Sequence, residues 1–182
     1  MRVLIIDKTG GLSTAQERFR LLSQKPEINL HVLAPRKWIE HGLLVDATQI
    51  EPRGYNLHLG RTVWKGYYAR GLYLTGLWRA LLKSRPQIIH LLEEPWSFFA
   101  WQTARAARLI APGSKFIFYS WENIYRDFEY PSRISFFQRR IDRRLHRRSS
   151  AAMCATEQAR SVLELKGFDG PVEVIPYGVD QP

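Results

Sequence analysis

Two adjacent carboxylates, Glu93 and Glu94, directly follow a short apolar run and are themselves followed closely by Trp96. Neighbouring carboxylates repel each other and lose hydration when buried, so this placement requires favourable partners. They can accept hydrogen bonds from hydroxyl groups, such as those of a sugar, while the Trp96 ring offers an apolar face beside them. Alternatively, a carboxylate stabilises the positive end of the helix that follows. We expect one glutamate to cap that helix and the other to face a ligand.

A second polar group, Ser120-Trp-Glu-Asn123, follows the apolar run at 115–120. Glu122 can act as a base or accept hydrogen bonds from hydroxyls, and Asn123 can orient a ligand through its amide. A polar turn in which Asn123 bonds to nearby backbone is a comparable interpretation. The sequence leaves these two interpretations open.

Gly10 and Gly11 follow the first apolar run, without the three-glycine dinucleotide fingerprint or the lysine-containing phosphate loop. Adjacent glycines let backbone N–H groups approach a phosphate or a sugar at a helix N-terminus. They also suit a tight turn that requires positive φ. Both interpretations stay open at this stage.

The remaining chemistry-bearing residues form no recognisable centre. The five histidines and the single Cys154 lack metal-ligand spacing, so we expect no metal site. No arrangement of serine, histidine and aspartate can be assembled from spacing. His90 lies inside an apolar run, where we expect a core histidine rather than a base.

A basic segment at 132–150 carries seven arginines against Asp142, a net charge of +6 out of +10 for the whole chain. At helical spacing, Ile134, Phe137, Ile141 and Leu145 form one stripe, which we expect to face the core. Phe136 points the other way, among arginines, a pattern typical of interfacial membrane helices. Nucleic-acid binding and an ordinary solvated helix are the alternatives. The predicted membrane-facing residues are Phe136, Arg139, Arg140, Arg143 and Arg147.

Alternating apolar and helical stretches must position these residues. We predict strands at 2–7, 29–34, 87–92, 115–120, 151–155 and 172–175, with weaker ones at 55–58 and 61–64. Helices are predicted at 13–24, 71–84, 96–110, 132–148 and 156–166. Local signals are a capping box from Ser13 to Gln16, Pro95 at a first helical position, a Thr156 cap and Gly167 at a helix end. Continuously apolar strands alternating with helices predict an α/β fold, a Rossmann-like doubly wound, mostly parallel sheet with helices on both faces. Ligands then collect at the carboxyl ends of the strands.

Composition bounds the class of protein. The chain has 182 residues and carries a charge of +10. Its hydrophobic fraction of 45% excludes a disordered polybasic tail. The single cysteine excludes a disulfide framework, and no apolar run has the length of a membrane span. We expect a cytoplasmic domain with an anionic partner.

The end of the chain carries the most specific motif. Thr156-Glu157, Lys166-Gly-Phe168 and Val174-Ile-Pro-Tyr-Gly-Val-Asp180 resemble the close of the N-terminal domain in family 4 glycosyltransferases, which have the two-domain GT-B fold. The same resemblance includes Met1–Asp7 with the glycine pair, the segment 85–90 and the Glu93–Trp96 turn. It therefore extends over almost the whole chain.

The resemblance implies a function. The N-terminal domain of that family binds the acceptor, which would be a glycoconjugate or a lipid-linked molecule here, and Gly10 and Gly11 match its glycine loop near the interdomain cleft. A second Rossmann-like domain, expected outside residues 1–182, binds the nucleotide-sugar donor and supplies a glutamate pair. Transfer retains anomeric configuration without an obligatory metal. Glu122 is the nearest match to an active-site histidine of the family and is therefore the catalytic candidate.

Three further expectations follow from the resemblance. The chain alone should be inactive, because the donor site lies in the other domain. It should reside in the cytoplasm, and nucleic acid is not an expected partner. Peripheral docking on the inner face of the membrane is a separate expectation, which rests on Phe136 among the arginines of segment 132–150. The competing interpretation, a non-enzymatic basic α/β module that binds nucleic acid or another polyanion, leaves the glutamate pair unexplained.

Overall fold

The fold is an α/β sandwich built on a seven-stranded parallel sheet, as seen in a computed structural model that describes residues 1–48, 54–67, 70–125 and 133–176. The strands are β1 (Arg2–Ile6), β2 (Asn29–Pro35), β3 (Lys37–Glu40), β4 (Leu43–Asp46), β5 (Asn56–Gly60), β6 (Thr62–Val63), β7 (Leu72–Tyr73), β8 (Ile88–Leu91), β9 (Lys115–Ser120), β10 (Ala151–Cys154) and β11 (Val172–Val174). The helices are α1 (Ser13–Ser23), α2 (Leu77–Ser84), α3 (Phe98–Ile110), α4 (Arg133–Arg148) and α5 (Glu157–Leu165).

The sheet runs in the order β11-β10-β9-β8-β1-β2-β5, with every neighbouring pair parallel. β8 is the middle strand and β1 is its neighbour, and Ile6 of β1 is in register with Leu33 of β2 on one side and Leu91 of β8 on the other. The chain first moves from β1 to β2 and later returns to β8 on the opposite side. The carboxyl ends of β1 and β8 therefore form the topological switch point, where ligands bind in sheets of this kind.

Helices cover both faces of the sheet, which confirms the predicted Rossmann-like architecture. One face of the sheet, including Leu4, Ile89 and Phe116, packs against apolar residues of α2, α3, α4 and α5. The opposite face, including Ile5 and Val32, packs around Phe19 of α1. The continuously apolar strand sequences follow directly from this burial on both faces.

Several local predictions are wrong, each for a physical reason. The helix predicted over 71–84 begins at Leu77, because Gly76 has a φ of 94° and Leu72–Tyr73 pairs with β6 instead. α1 has no capping box: Leu12 is the N-cap, and Gln16 donates to the carbonyl oxygens of Gly11 and Thr48. Pro95 precedes α3 by a turn, since the Ser97 side chain caps this helix by accepting from the Ala100 N–H at 3.1 Å.

Other local predictions are confirmed or lie outside the described residues. The Thr156 side chain caps α5, and Gly167 follows that helix with a φ of 80°. The antiparallel hairpin of β3 and β4 is absent from the sequence predictions. Ser132, the side chain of Ile134 and the motif at Tyr177–Asp180 lie outside the described residues.

Candidate functional site

The carboxyl ends of β8 and β9 open into a small cavity at the edge of the sheet. Its volume is about 340 Å³, and it is lined by Glu93, Glu94, Trp96 and Trp121. β8 ends two residues before Glu93, and β9 ends one residue before Trp121, so two neighbouring parallel strands bring both turns to the same edge. The structure thus brings together the glutamate pair and Trp96, as the sequence predicts.

Glu94 is held by two hydrogen bonds from the turn after β9. Its Oε2 accepts from the Ser120 hydroxyl at 2.8 Å and its Oε1 accepts from the Trp121 N–H at 2.7 Å. The residue is 4% exposed. Burial raises the pKa of Glu94 from 4.5 to about 7, against the opposing effect of these two donors. Glu94 therefore ties the two turns together and titrates near neutrality.

Glu93 forms a buried ion pair with Lys8, which follows β1. The Lys8 ammonium also lies 5.4 Å from the centre of the Trp121 ring, a cation–π contact. Glu93 is 2% exposed, and burial raises its pKa to about 7, although the Lys8 charge acts in the opposite direction. Both glutamates are thus engaged by the protein. The expectation that one of them caps α3 is wrong, because Ser97 does so.

The glycine pair lies under the turn after β4 rather than open to solvent. Both glycines are buried, and neither has a positive φ, so the positive-φ interpretation is wrong. A Cβ on Gly11 would lie 2.8 Å from the Cβ of Ala47, and the Gly11 carbonyl accepts from the Thr48 N–H at 2.8 Å. Close packing against residues 47–48 accounts for glycine at position 11.

Glu122 follows the cavity residue Trp121 and belongs to a buried charged cluster. Its carboxylate is paired with Lys166, whose ammonium lies 3.6 Å from Asp142 of α4, and Asp142 lies 3.3 Å from the imidazole of His146. Burial lowers the pKa of His146 to about 4, so this imidazole is neutral near pH 7. The cluster joins the turn after β9 to α4 and to the end of α5.

Asn123 is exposed and links its turn to α5. Its Oδ1 accepts from the Thr156 hydroxyl at 2.5 Å, while that hydroxyl accepts from the Ala159 N–H at 3.1 Å. This bond joins Asn123 to a side chain that is distant in sequence rather than to nearby backbone, and it fixes the position of the turn. Within the described ranges, no three histidine, cysteine, aspartate or glutamate side chains are grouped to hold a metal ion.

A family comparison agrees with this architecture. The family model described as the glycosyl transferase 4-like domain matches residues 27–178. The chain belongs to this family. The matched range includes the residues that line the cavity and those of the charged cluster. Gly10 and Gly11 precede this range. No curated protein matches the chain.

On the outer side of this glycosyl transferase 4-like domain, α4 presents two aromatic rings. Phe136 is 65% exposed, as predicted, but Phe137 is 57% exposed, so its predicted core position is wrong. The two rings are in edge-to-face contact at 6.0 Å. Core contact begins one turn later, where Ile141 and Leu145 are buried as predicted. Of the predicted arginines, Arg140, Arg143 and Arg147 are exposed and Arg139 is half-buried. No helix in the described ranges has the length and apolar character of a membrane span.

The sequence predictions missed four residues that shape the site of the glycosyl transferase 4-like domain. Lys8 and Trp121 contact or line the cavity, while Lys166 and His146 complete the cluster around Glu122. Lys8 had a usable signal, because it follows a central strand and its charge complements the glutamate pair. Lys166 belongs to the Lys166-Gly-Phe168 motif, but that motif does not indicate a contact with Glu122, because the contact depends on how the end of α5 packs beside β9.

Proposed function

We propose that this glycosyltransferase family 4-like chain forms the acceptor-binding domain of a retaining glycosyltransferase, which moves a sugar from a nucleotide-sugar to a glycoconjugate or lipid-linked acceptor. The observation that carries the proposal is the cavity lined by two glutamates and two tryptophans at the carboxyl ends of β8 and β9, beside the switch point of the sheet. This edge is where a parallel α/β sheet places its ligand.

The cavity residues suit an acceptor that carries sugar hydroxyls. Trp96 and Trp121 are half-buried and offer ring faces for the apolar side of a sugar ring. The two glutamates, each with a pKa near 7, can accept a hydroxyl hydrogen bond when ionised and donate one when protonated. The transfer forms a bond between an acceptor hydroxyl oxygen and the anomeric carbon, breaks the anomeric bond to the nucleotide phosphate, and releases the hydroxyl proton.

The donor side is proposed to lie in a second Rossmann-like domain that binds the nucleotide-sugar, and no metal is required for the reaction. Glu122 stays a candidate for the catalytic residue. Its pairing with Lys166 favours a positioning role for the turn that contains Trp121. Residues 1–182 alone are expected to show no sugar transfer, and transfer by this isolated chain would contradict the division of labour.

Tryptophan fluorescence with a panel of alkyl glycosides tests the acceptor site. We expect saturable binding to at least one glycoside, weakened about tenfold or more by Trp96→Ala, because a buried aromatic ring contributes about 1.5–3 kcal/mol. Trp78→Ala is the matched control, since Trp78 is a half-exposed tryptophan on α2. Absence of saturable binding would contradict the proposal. Wild-type affinity in both the Trp96→Ala and the Trp121→Ala variant would contradict it as well.

We also propose that α4 docks the domain peripherally on the cytoplasmic face of an anionic membrane. Phe136 and Phe137 supply adjacent exposed rings, and Arg140, Arg143 and Arg147 supply exposed charge on the same helix. Aromatic insertion beside arginines is typical of interfacial helices. If the domain bound nucleic acid instead, its affinity for DNA would depend steeply on salt and would not require Phe136.

A further inference from the structure

A second and larger groove lies between α3 and α4, on the helical side of the sheet. Its volume is about 580 Å³, within the range of about 300–1,000 Å³ typical of ligand pockets. Its apolar residues are Ala104 and Leu109 of α3 and Ile141 and Leu145 of α4. The groove begins at Trp101 in the first turn of α3 and ends near the opposite edge of the sheet.

Arginines from both helices border this apolar floor. Arg105 and Arg108 come from α3, and Arg144 and Arg148 come from α4. The described residues that line the groove include no acidic side chain, and no ion pair joins Arg105, Arg108 or Arg144 to any described acidic residue. The groove therefore combines unneutralised positive charge with an apolar surface.

Two contacts hold the ends of the groove in place. The Arg105 guanidinium lies 5.4 Å from the centre of the Trp101 ring, so this arginine is stacked beside the upper end. At the lower end, Arg148 donates to the Ser114 carbonyl oxygen at 3.3 Å, which fixes α4 against the turn after α3. Arg108 and Arg144 stay available on the two rims.

We propose that the groove between α3 and α4 binds one anionic phospholipid, with its phosphate on the arginine rims and part of its acyl chain on the apolar floor. Guanidinium groups bind phosphate oxygens through paired, charge-assisted hydrogen bonds. Tryptophan is enriched where a protein meets the membrane–water interface, and Trp101 stands at the mouth of the groove.

The position of the groove relates it to the proposed membrane docking, on which this inference rests. Phe137 precedes Ile141 by one helical turn, so the exposed rings of α4 lie at the same end of that helix as the upper part of the groove. Docking through the exposed aromatic rings and arginines of α4 requires only an anionic membrane surface and no individual lipid-binding site. A lipid held in the groove adds a stoichiometric site and fixes the orientation of the domain on the membrane.

Calorimetry with dihexanoyl phosphatidylglycerol below its micelle concentration separates this site from general surface attraction. We expect binding of one lipid per chain, weakened at least about tenfold by the double variant Arg105→Gln/Arg144→Gln, since charged hydrogen bonds are among the stronger ones. Arg70→Gln/Arg79→Gln is the matched control, because it removes the same charge from exposed positions that lie neither in the groove nor on α4. The control is expected to change affinity less than about twofold. Leu109→Asn tests the apolar floor independently and is expected to weaken binding while leaving the arginines intact.

Three results would overturn the groove site: equal losses in the two double variants, equal binding of dihexanoyl phosphatidylcholine, or equally tight binding of inorganic phosphate or a short oligonucleotide. Vesicles of phosphatidylcholine and phosphatidylglycerol distinguish the two proposals. Vesicle binding that depends on Phe136 but not on Arg105 and Arg144 would contradict the groove and support docking by α4. Binding of the monomeric lipid without vesicle binding would support the groove and contradict the docking.

Discussion

Two charged regions of this domain differ in how their charges are neutralised. At the sheet edge, Glu93, Glu94 and Glu122 are buried and each is bonded to the protein, through Lys8, the turn after β9 and Lys166. On the outer side of α4, Arg140 and Arg143 are exposed. Buried charges must be paired within the protein, whereas exposed charges are stabilised by water and stay available to bind an external anionic partner. Acidic residues therefore shape the proposed acceptor cavity, and basic residues contribute to the proposed docking surface.

The largest effect is expected from breaking the buried cluster with Lys166→Met. This change leaves the carboxylates of Glu122 and Asp142 buried without their shared cation. Loss of one partner from a buried ion pair costs about 3–5 kcal/mol, so the free energy of unfolding in urea should fall by about that amount. Lys25→Met, at an exposed position after α1, is the control and should change stability by less than about 0.5 kcal/mol. Equal stability of the two variants would show that the cluster is not a structural brace.

A smaller effect is expected from Glu94→Gln, and it should depend on pH. The folded-state pKa of Glu94 is raised from 4.5 to about 7, mainly by burial, so the folded state retains a proton that the unfolded chain releases. This contribution is fully present below about pH 4.5 and is lost as pH rises through about 7. The neutral glutamine removes it, so stability relative to wild type should rise by about 2 kcal/mol between pH 5.5 and pH 8.

The quantity to measure is the difference in unfolding free energy between the wild type and the Glu94→Gln variant. The absolute value is not sufficient, because the neutral buried histidines change stability with pH in the opposite direction. Burial lowers the pKa values of His90 and His146 to about 4, so each costs stability as pH falls below about 6.5. Both proteins share that loss. A difference in unfolding free energy that does not change with pH would mean that Glu94 is ionised throughout this range.

The strands were predictable because burial on both faces leaves continuous apolar runs, and β9 has the predicted bounds. The start of α2 was not, because Leu74 has helical spacing relative to Leu77 and Trp78, while the positive φ of Gly76 keeps the helix from beginning before Leu77. The hairpin of β3 and β4 was also missed. Its short strands pack through Trp38 onto Phe99 of α3, a contact between residues distant in sequence.

The sequence placed the glutamate pair at the correct edge of the sheet but did not reveal what holds it. The pairing of Glu93 with Lys8 follows from the adjacency of β1 and β8, which are far apart in the chain. Phe137 illustrates the converse limit. Its spacing matches that of the buried residues Ile141 and Leu145, yet it lies in a part of α4 that extends beyond the core. Helical periodicity alone therefore predicts a buried ring where the structure has an exposed one.

The docking surface should respond most strongly to its aromatic ring. Phe136→Ala is expected to weaken binding to phosphatidylglycerol-containing vesicles by about tenfold, because insertion of a largely exposed ring contributes about 1–2 kcal/mol. Unfolding stability should barely change. Leu165→Ala provides the control, since Leu165 is similarly exposed but lies at the end of α5. Sedimentation measures both variants, and equal losses would place the membrane contact elsewhere.

The smallest effect is expected from a single arginine of α4. Arg143→Gln should weaken vesicle binding by about fivefold, because one basic residue near an anionic surface contributes about 1 kcal/mol. Arg143→Lys should retain the wild-type affinity, since an exposed position that contributes through charge does not need the planar guanidinium group. Both differences should shrink as salt is raised, in line with screening. If Arg143→Lys loses as much as Arg143→Gln, this residue makes a geometrically specific contact, and the contrast between paired acids and freely available arginines no longer holds at this position.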